Sequence, residues 1–120
     1  MSDTRPWPVE LRLKKAGHCL EIDFNDGRTS RLPAEYLRVV SPSAEVQGHG
    51  AGQKTIVAGK RQVAISGIEP VGNYAVRLLF DDGHDTGLFT WDYLYRLGAE
   101  HEKLWAEYLA ALAAKGLDRG

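Results

Sequence analysis

The run Phe80-Asp81-Asp82-Gly83-His84-Asp85-Thr86-Gly87 sets a tight turn between two apolar segments. Asp and Gly tolerate the positive φ that a hairpin requires, so Asp82-Gly83 marks a reversal of the chain. Upstream, Tyr74 to Phe80 carries Val76, Leu78 and Phe80 on one face and Ala75 and Leu79 on the other. Apolar residues on both faces mark a strand central in its sheet. Downstream, His84 to Phe89 can return beside it. Thr90 is a good N-cap for a helix over Trp91 to Leu97, with Asp92 well placed in the first turn and Gly98 positioned to stop or bend it. Further back, Val63, Ile65 and Ile68 suggest another strand, followed by a turn over Glu69-Pro70-Val71-Gly72-Asn73.

The same order of signals occurs earlier in the chain. Phe24-Asn25-Asp26-Gly27-Arg28-Thr29-Ser30 is followed by Leu32 and then Tyr36-Leu37, as the later run is followed by Leu88 and then Tyr93-Leu94. Before it, Leu11, Leu13 and Val9 alternate with charged residues, Ala16-Gly17 turns, and Leu20, Ile22 and Phe24 share one face against Glu21 and Asp23. Pro33 suits the start of a short helix over residues 33–38, which Ser41-Pro42-Ser43 ends. The expected fold is therefore α+β: a small antiparallel or mixed β-sheet core built from two pseudo-repeated strand–turn–strand–helix units. Ala99 to Lys115 adds a C-terminal helix with Leu104, Trp105, Tyr108, Leu109 and Leu112 as its apolar stripe and Gly116 past its end. Residues 1–8, with two prolines, read as a flexible arm, residues 9–98 as the domain, and residues 99–116 as the helix packed on it.

A chain of 120 residues with 43% hydrophobic and 26% charged residues is globular and of single-domain size. A net charge of -1 argues against a general nucleic-acid binder. One cysteine, Cys19, excludes a disulfide within the chain and a multi-thiolate metal site, and it suits a reducing compartment. Neither a secretory signal nor a membrane span is evident, so the cytoplasm is the expected location.

Four histidines are present, and two of them stand in informative contexts. His84 is flanked by Asp81, Asp82 and Asp85, a partial site for a divalent metal or a base held by an acid; a turn histidine with local hydrogen bonds is the simpler reading of the residues alone. His49 sits between Gly48 and Gly50 on a glycine-rich stretch. If Glu45, His49 and His84 converge, with Asp85 near, they make an N/N/O site suited to iron or zinc. His18 is expected to be exposed and His101 to pack beside the apolar stripe. Lys60 and Arg61 read as a solvated hairpin, and the phosphate-loop order is not met around Lys54. Trp91 and Tyr95 belong to an aromatic cluster, and a ring left exposed there would mark a partner surface.

Leu32-Pro33-Ala34-Glu35-Tyr36-Leu37-Arg38, Gly48-His49-Gly50, Asp82 to Gly87 and Trp91-Asp92-Tyr93-Leu94, in that order, resemble the domain at the N-terminus of gamma-butyrobetaine hydroxylase. The likeness is greatest to its stand-alone bacterial branch, once classed as a domain of unknown function. In the hydroxylase, that domain holds a structural zinc through a Cys-x-Cys-x-x-Cys motif after a Leu-Arg pair, plus one later histidine. Here Leu37-Arg38 is followed by Ser41, Ser43 and Val46 at the thiolate positions, and only His84 matches a ligand. Serine is a poor zinc ligand at neutral pH and valine is none, so that site cannot form. The oxygenase's catalytic iron lies in a separate jelly-roll domain. The resemblance therefore implies the fold without the hydroxylase activity. Similar domains fused to scaffold proteins of iron–sulfur cluster assembly imply an adaptor or metal-handling role by analogy.

The leading expectation is a non-catalytic binding module, either touching iron or iron–sulfur handling through His84 or acting as an adaptor. A metal-independent protein-interaction domain with its surface near Trp91 and Tyr95 is the alternative. A small enzyme with His84 as base would further need a pocket and a substrate pose. The sequence leaves the metal, the partner and the oligomeric state open.

Overall fold

The computed structural model describes residues 6–42 and 56–120. Strands β1 (Pro8–Lys14), β2 (Cys19–Phe24) and β3 (Thr29–Pro33) form one antiparallel sheet in the order β1-β2-β3. Helix α1 (Ala34–Val39) follows. Strands β4 (Ile65–Val71), β5 (Ala75–Phe80) and β6 (Leu88–Thr90) form a second antiparallel sheet in the order β4-β5-β6, followed by α2 (Trp91–Ala99) and α3 (His101–Ala114). The fold is α+β with a C-terminal helix, as the two repeated blocks of sequence imply.

The alternation in β2 buries Leu20, Ile22 and Phe24, while Arg12 on the neighbouring strand spans Glu21 and Asp23 on the wetter face. In β5, Ala75, Val76, Leu78 and Phe80 are all buried and only Arg77 is exposed, which suits its central place. Leu32, Tyr36 and Leu37 from the first unit meet Phe89, Leu94 and Leu97 from the second in one shared core. Tyr108 and Leu112 of α3 close a smaller cluster with Val39 and Val57.

The two units match in atomic detail. Phe24 N–H donates to Arg28 O at 2.8 Å, and Phe80 N–H donates to His84 O at 3.0 Å. Gly27 and Gly83 both sit at φ 89°, a conformation that costs glycine nothing. Asp26 and Asp82 each accept the N–H two residues on, from Arg28 at 3.0 Å and from His84 at 3.1 Å. Asn25 accepts from Trp7 N at 2.9 Å, and Asp81 accepts from Ala64 N at 3.0 Å.

Several local expectations shift. β1 begins at Pro8, and the backbone of Trp7 is bonded both ways to Asn25, so this end of the expected arm is part of the first sheet. Glu69, Pro70 and Val71 lie in β4 rather than in the turn; β4 is an edge strand, where a residue without an N–H is tolerated. Gly98 stands one residue before the end of α2 at Ala99. His18 stays exposed as expected, although its Nδ1 lies 3.1 Å from Val63 O. Lys60 is not simply solvated, because its ammonium reaches Asp82.

Candidate functional site

The second Asp-Gly turn carries a polar cluster assembled from three parts of the chain. Arg38 projects from α1 and is 3% exposed. Its Nε donates to Asp82 Oδ2 at 2.8 Å, and Lys60 Nζ lies 2.7 Å from the same oxygen. Oδ1 of Asp82 takes the His84 N–H. Burial alone would raise the Asp82 pKa, but the hydrogen bonds from Lys60, the His84 N–H and Arg38 outweigh it and hold the carboxyl at about 2. This aspartate is therefore a charged clasp between α1 and the turn.

His84 is 7% exposed, and its Nε2 lies 2.9 Å from the hydroxyl of Ser41, which is fully buried. Its ring sits 5.9 Å from that of Phe80. Gly87 makes room for the pair: a Cβ built there would stand 2.2 Å from Ser41 Oγ. A Ser–His pair is the core of a nucleophilic dyad, and two features of this one oppose that use. Both groups are enclosed, and the Asp82 carboxylate is directed to the His84 main chain and two cations rather than to the imidazole.

Of the expected metal ligands, His49 and Glu45 lie outside the described residues. Asp85 is exposed, and its charge acts on Arg77 of β5. Among the described residues no group of three His, Cys, Asp or Glu side chains is placed to hold a metal ion.

The two expected surface aromatics have different fates. Tyr95 donates its hydroxyl to Asp26 Oδ2 at 2.7 Å, meets Phe24 edge-on at 5.0 Å, and lies under the Arg28 guanidinium at 5.2 Å. The Tyr95 hydrogen bond lowers the Asp26 pKa and raises that of Tyr95. Trp91 is half-buried, with its indole N–H donated to Asn73 O at 2.8 Å. Together with Pro6, Trp7, Tyr74, Thr90 and Asp92 it lines an open cleft of about 560 Å³. Trp7 and Tyr74 are each 51% exposed.

Sequence reasoning did not place Trp7 and Tyr74 at this cleft, nor Arg38, Ser41 and Lys60 in the polar cluster. One signal was available. Aligning the two repeats on Tyr36 and Tyr93 sets Arg38 opposite Tyr95, and both reach the aspartate of the other unit's turn. No helix among the described residues is long and apolar enough to cross a membrane.

Comparison with known proteins agrees with this architecture. Two proteins solved by NMR in solution align over 94% and 99% of this chain and 89% and 90% of their own, at 51% and 48% identity with TM-scores of 0.80 and 0.82. A crystal structure of a protein of unknown function of the DUF971 family, from Acidithiobacillus ferrooxidans, aligns over 82% of this chain and all of its own at 47% identity and a TM-score of 0.68. No curated protein matches. Residues 11–95 match the family described as gamma-butyrobetaine hydroxylase-like, N-terminal. On that match and these identities, the chain belongs to the gamma-butyrobetaine hydroxylase-like N-terminal domain family, with relatives that are stand-alone domains.

Proposed function

We propose that the chain is a non-catalytic binding module whose partner surface is the aromatic cleft around Trp91. The observation that carries this reading is the exposure of Trp7 and Tyr74 beside Trp91. Large rings left in water around a concavity favour contact with another molecule. Enclosure of Ser41 and His84 supports the non-catalytic part, since a nucleophile must reach its substrate. A single half-buried cysteine suits work in a reducing compartment such as the cytoplasm. A photo-crosslinking residue placed at Tyr74 should capture a protein in cells. Capture should vanish with Trp7→Asp and be absent from the same residue placed at Leu109 on α3. Equal capture from both positions would end this reading.

A metal-handling role, with iron or zinc and an iron–sulfur assembly partner, is the second reading. Its support is the meeting of Ser41 with His84, together with Glu45 and His49 following closely in the sequence. A metal at His84 Nε2 must displace the Ser41 hydroxyl. Titration with ferrous iron or zinc should then move the imidazole resonances of His84 and His49 at one equivalent, and unmoved signals would eliminate it.

A further inference from the structure

We infer that the outer edge of β1 pairs antiparallel with β1 of a second copy of this chain, joining two three-stranded sheets into one. This stands independently of the cleft and its partner.

Among the described residues β1 pairs on one side only, with β2. The outer edge of such a strand presents backbone groups that template another strand, and folds blunt it with proline, a bulge or lysine. In β4, the first strand of the second sheet, a register shift between Ile65 and Gly67 and then Pro70 interrupt the edge. In β1 the same devices stand at the ends: Pro8 and the bulge at Val9 at the start, Lys14 at the finish. Glu10 to Leu13, between them, keep a regular ladder.

The side chains of this edge are incompletely covered on one face and crowded with like charge on the other. Leu11 packs partly buried on the core, whereas Leu13, two residues on, is 38% exposed and Val9 is 61% exposed. On the opposite face Glu10 stands across the ladder from Asp23, a like-charge pair. Both carboxylates contact the Arg12 guanidinium, at 2.7 and 2.9 Å.

The strand is complementary to itself when reversed. A two-fold axis at Leu11 sets Leu11 against Leu11 and Glu10 against Arg12 on each side of it, with Val9 and Leu13 meeting at both ends. Residues directly opposite share a face, so apolar side chains meet on the core side and each Glu10 gains a second guanidinium on the other. Arg31, Glu21 and Arg12 already alternate in charge across β3, β2 and β1 through contacts of 2.7 Å, and Glu10 of the second copy continues that row. A slip of one residue would set leucine against arginine, which fixes the register. The pairing uses the same edge on both copies and so closes at two. An edge of 7 residues is short, which gives a dimer in exchange with monomer rather than a permanent one.

The full chain is followed by sedimentation equilibrium from micromolar to millimolar concentration. Glu10→Lys is compared with Glu102→Lys, which makes the same change of net charge on α3. A wild-type dimer that Glu10→Lys weakens roughly tenfold, because both cross-strand charge pairs turn repulsive, and that Glu102→Lys retains, supports the inference. The arrangement is read with a nitroxide on Lys14→Cys in a Cys19→Ser background, mixed with isotope-enriched chain that carries no nitroxide. The pairing places Lys14 opposite Pro8, so the N–H resonances of Trp7 and Val9 in the enriched chain should broaden most. A monomer at every concentration overturns the inference, as do equal effects of the two charge changes. Broadening centred on Lys14, the mark of parallel strands, or on α3 overturns it as well.

Discussion

Tyr36 of α1 donates its hydroxyl to the carbonyl of Leu97 in α2, at 2.8 Å. The reverse bond exists too: Tyr93 of α2 donates to the carbonyl of Val40, just past α1, at 2.5 Å. Each tyrosine thus satisfies an orphan carbonyl near the C-terminal end of the other unit's helix, where no intrahelical partner is available. Burial holds both phenols in their neutral, donating form by raising their pKa values.

Removing either hydroxyl should loosen the joint between the units. Tyr36→Phe leaves a buried carbonyl without its donor and should cost about 1–3 kcal/mol. Tyr93→Phe should cost less, because Tyr93 is only half-buried. Urea unfolding of both variants and the double variant measures this. Two silent substitutions would show that the exchange contributes nothing to stability.

A second reciprocal contact pairs serine with glycine. A Cβ on Gly98 would stand 2.3 Å from Ser30 Oγ, and one on Gly87 would stand 2.2 Å from Ser41 Oγ. Gly87→Ala should therefore destabilise by about 1–3 kcal/mol through overpacking. In a Ser41→Ala background the penalty should shrink, since the clashing oxygen is gone. A double-mutant cycle reads this coupling, and strict additivity would contradict it.

Asp82 should make the fold sensitive to acid. Its folded pKa of about 2 lies below the ordinary value of 3.8, so the unfolded chain binds a proton more readily. The stabilisation is complete above about 3.8 and is lost as pH falls through about 2. Solvent screening at this exposed turn keeps it to on the order of 1 kcal/mol. The stability difference between the wild type and Asp82→Asn should narrow across that window, and a constant difference would refute the assignment.

His101 stacks on Tyr36 at 4.4 Å with the rings 22° apart, which ties α3 to the core. Burial lowers its pKa from 6.5, with Glu102 opposing. Its contribution to folding is therefore full above 6.5 and lost as pH falls through the depressed folded value. His101→Phe keeps a ring on Tyr36 and removes the titration. Stability measured from about pH 7 down to pH 5 should slope less in this variant than in the wild type.

Much of the fold was legible because its signals are local. Asp26-Gly27 and Asp82-Gly83 read as turns from residue type alone, and the Thr90 cap forms as expected, accepting from Tyr93 N at 3.2 Å. The errors fell where packing outweighs propensity. Pro70 was read as turn chemistry, yet an unpaired strand edge accepts it. Gly98, expected to stop or bend α2, stands one residue before its end, and its lack of a Cβ also admits Ser30.

The candidate sites divide in the same way. His84 and Trp91 attracted attention through their neighbours in sequence, whereas their partners are remote in it: Ser41 and His84 stand 43 residues apart, Arg38 and Asp82 44. By itself the sequence determined the strand alternation, the two turns, the helix caps and the repeat, because period and backbone preference act over a few residues. Only the tertiary structure decided that the units exchange tyrosines, that Tyr95 is spent on Asp26 while Trp91 opens onto a cleft, and that Trp7 joins it. Those outcomes depend on how the sheets and helices of the described residues share one core, and no local pattern encodes that distance.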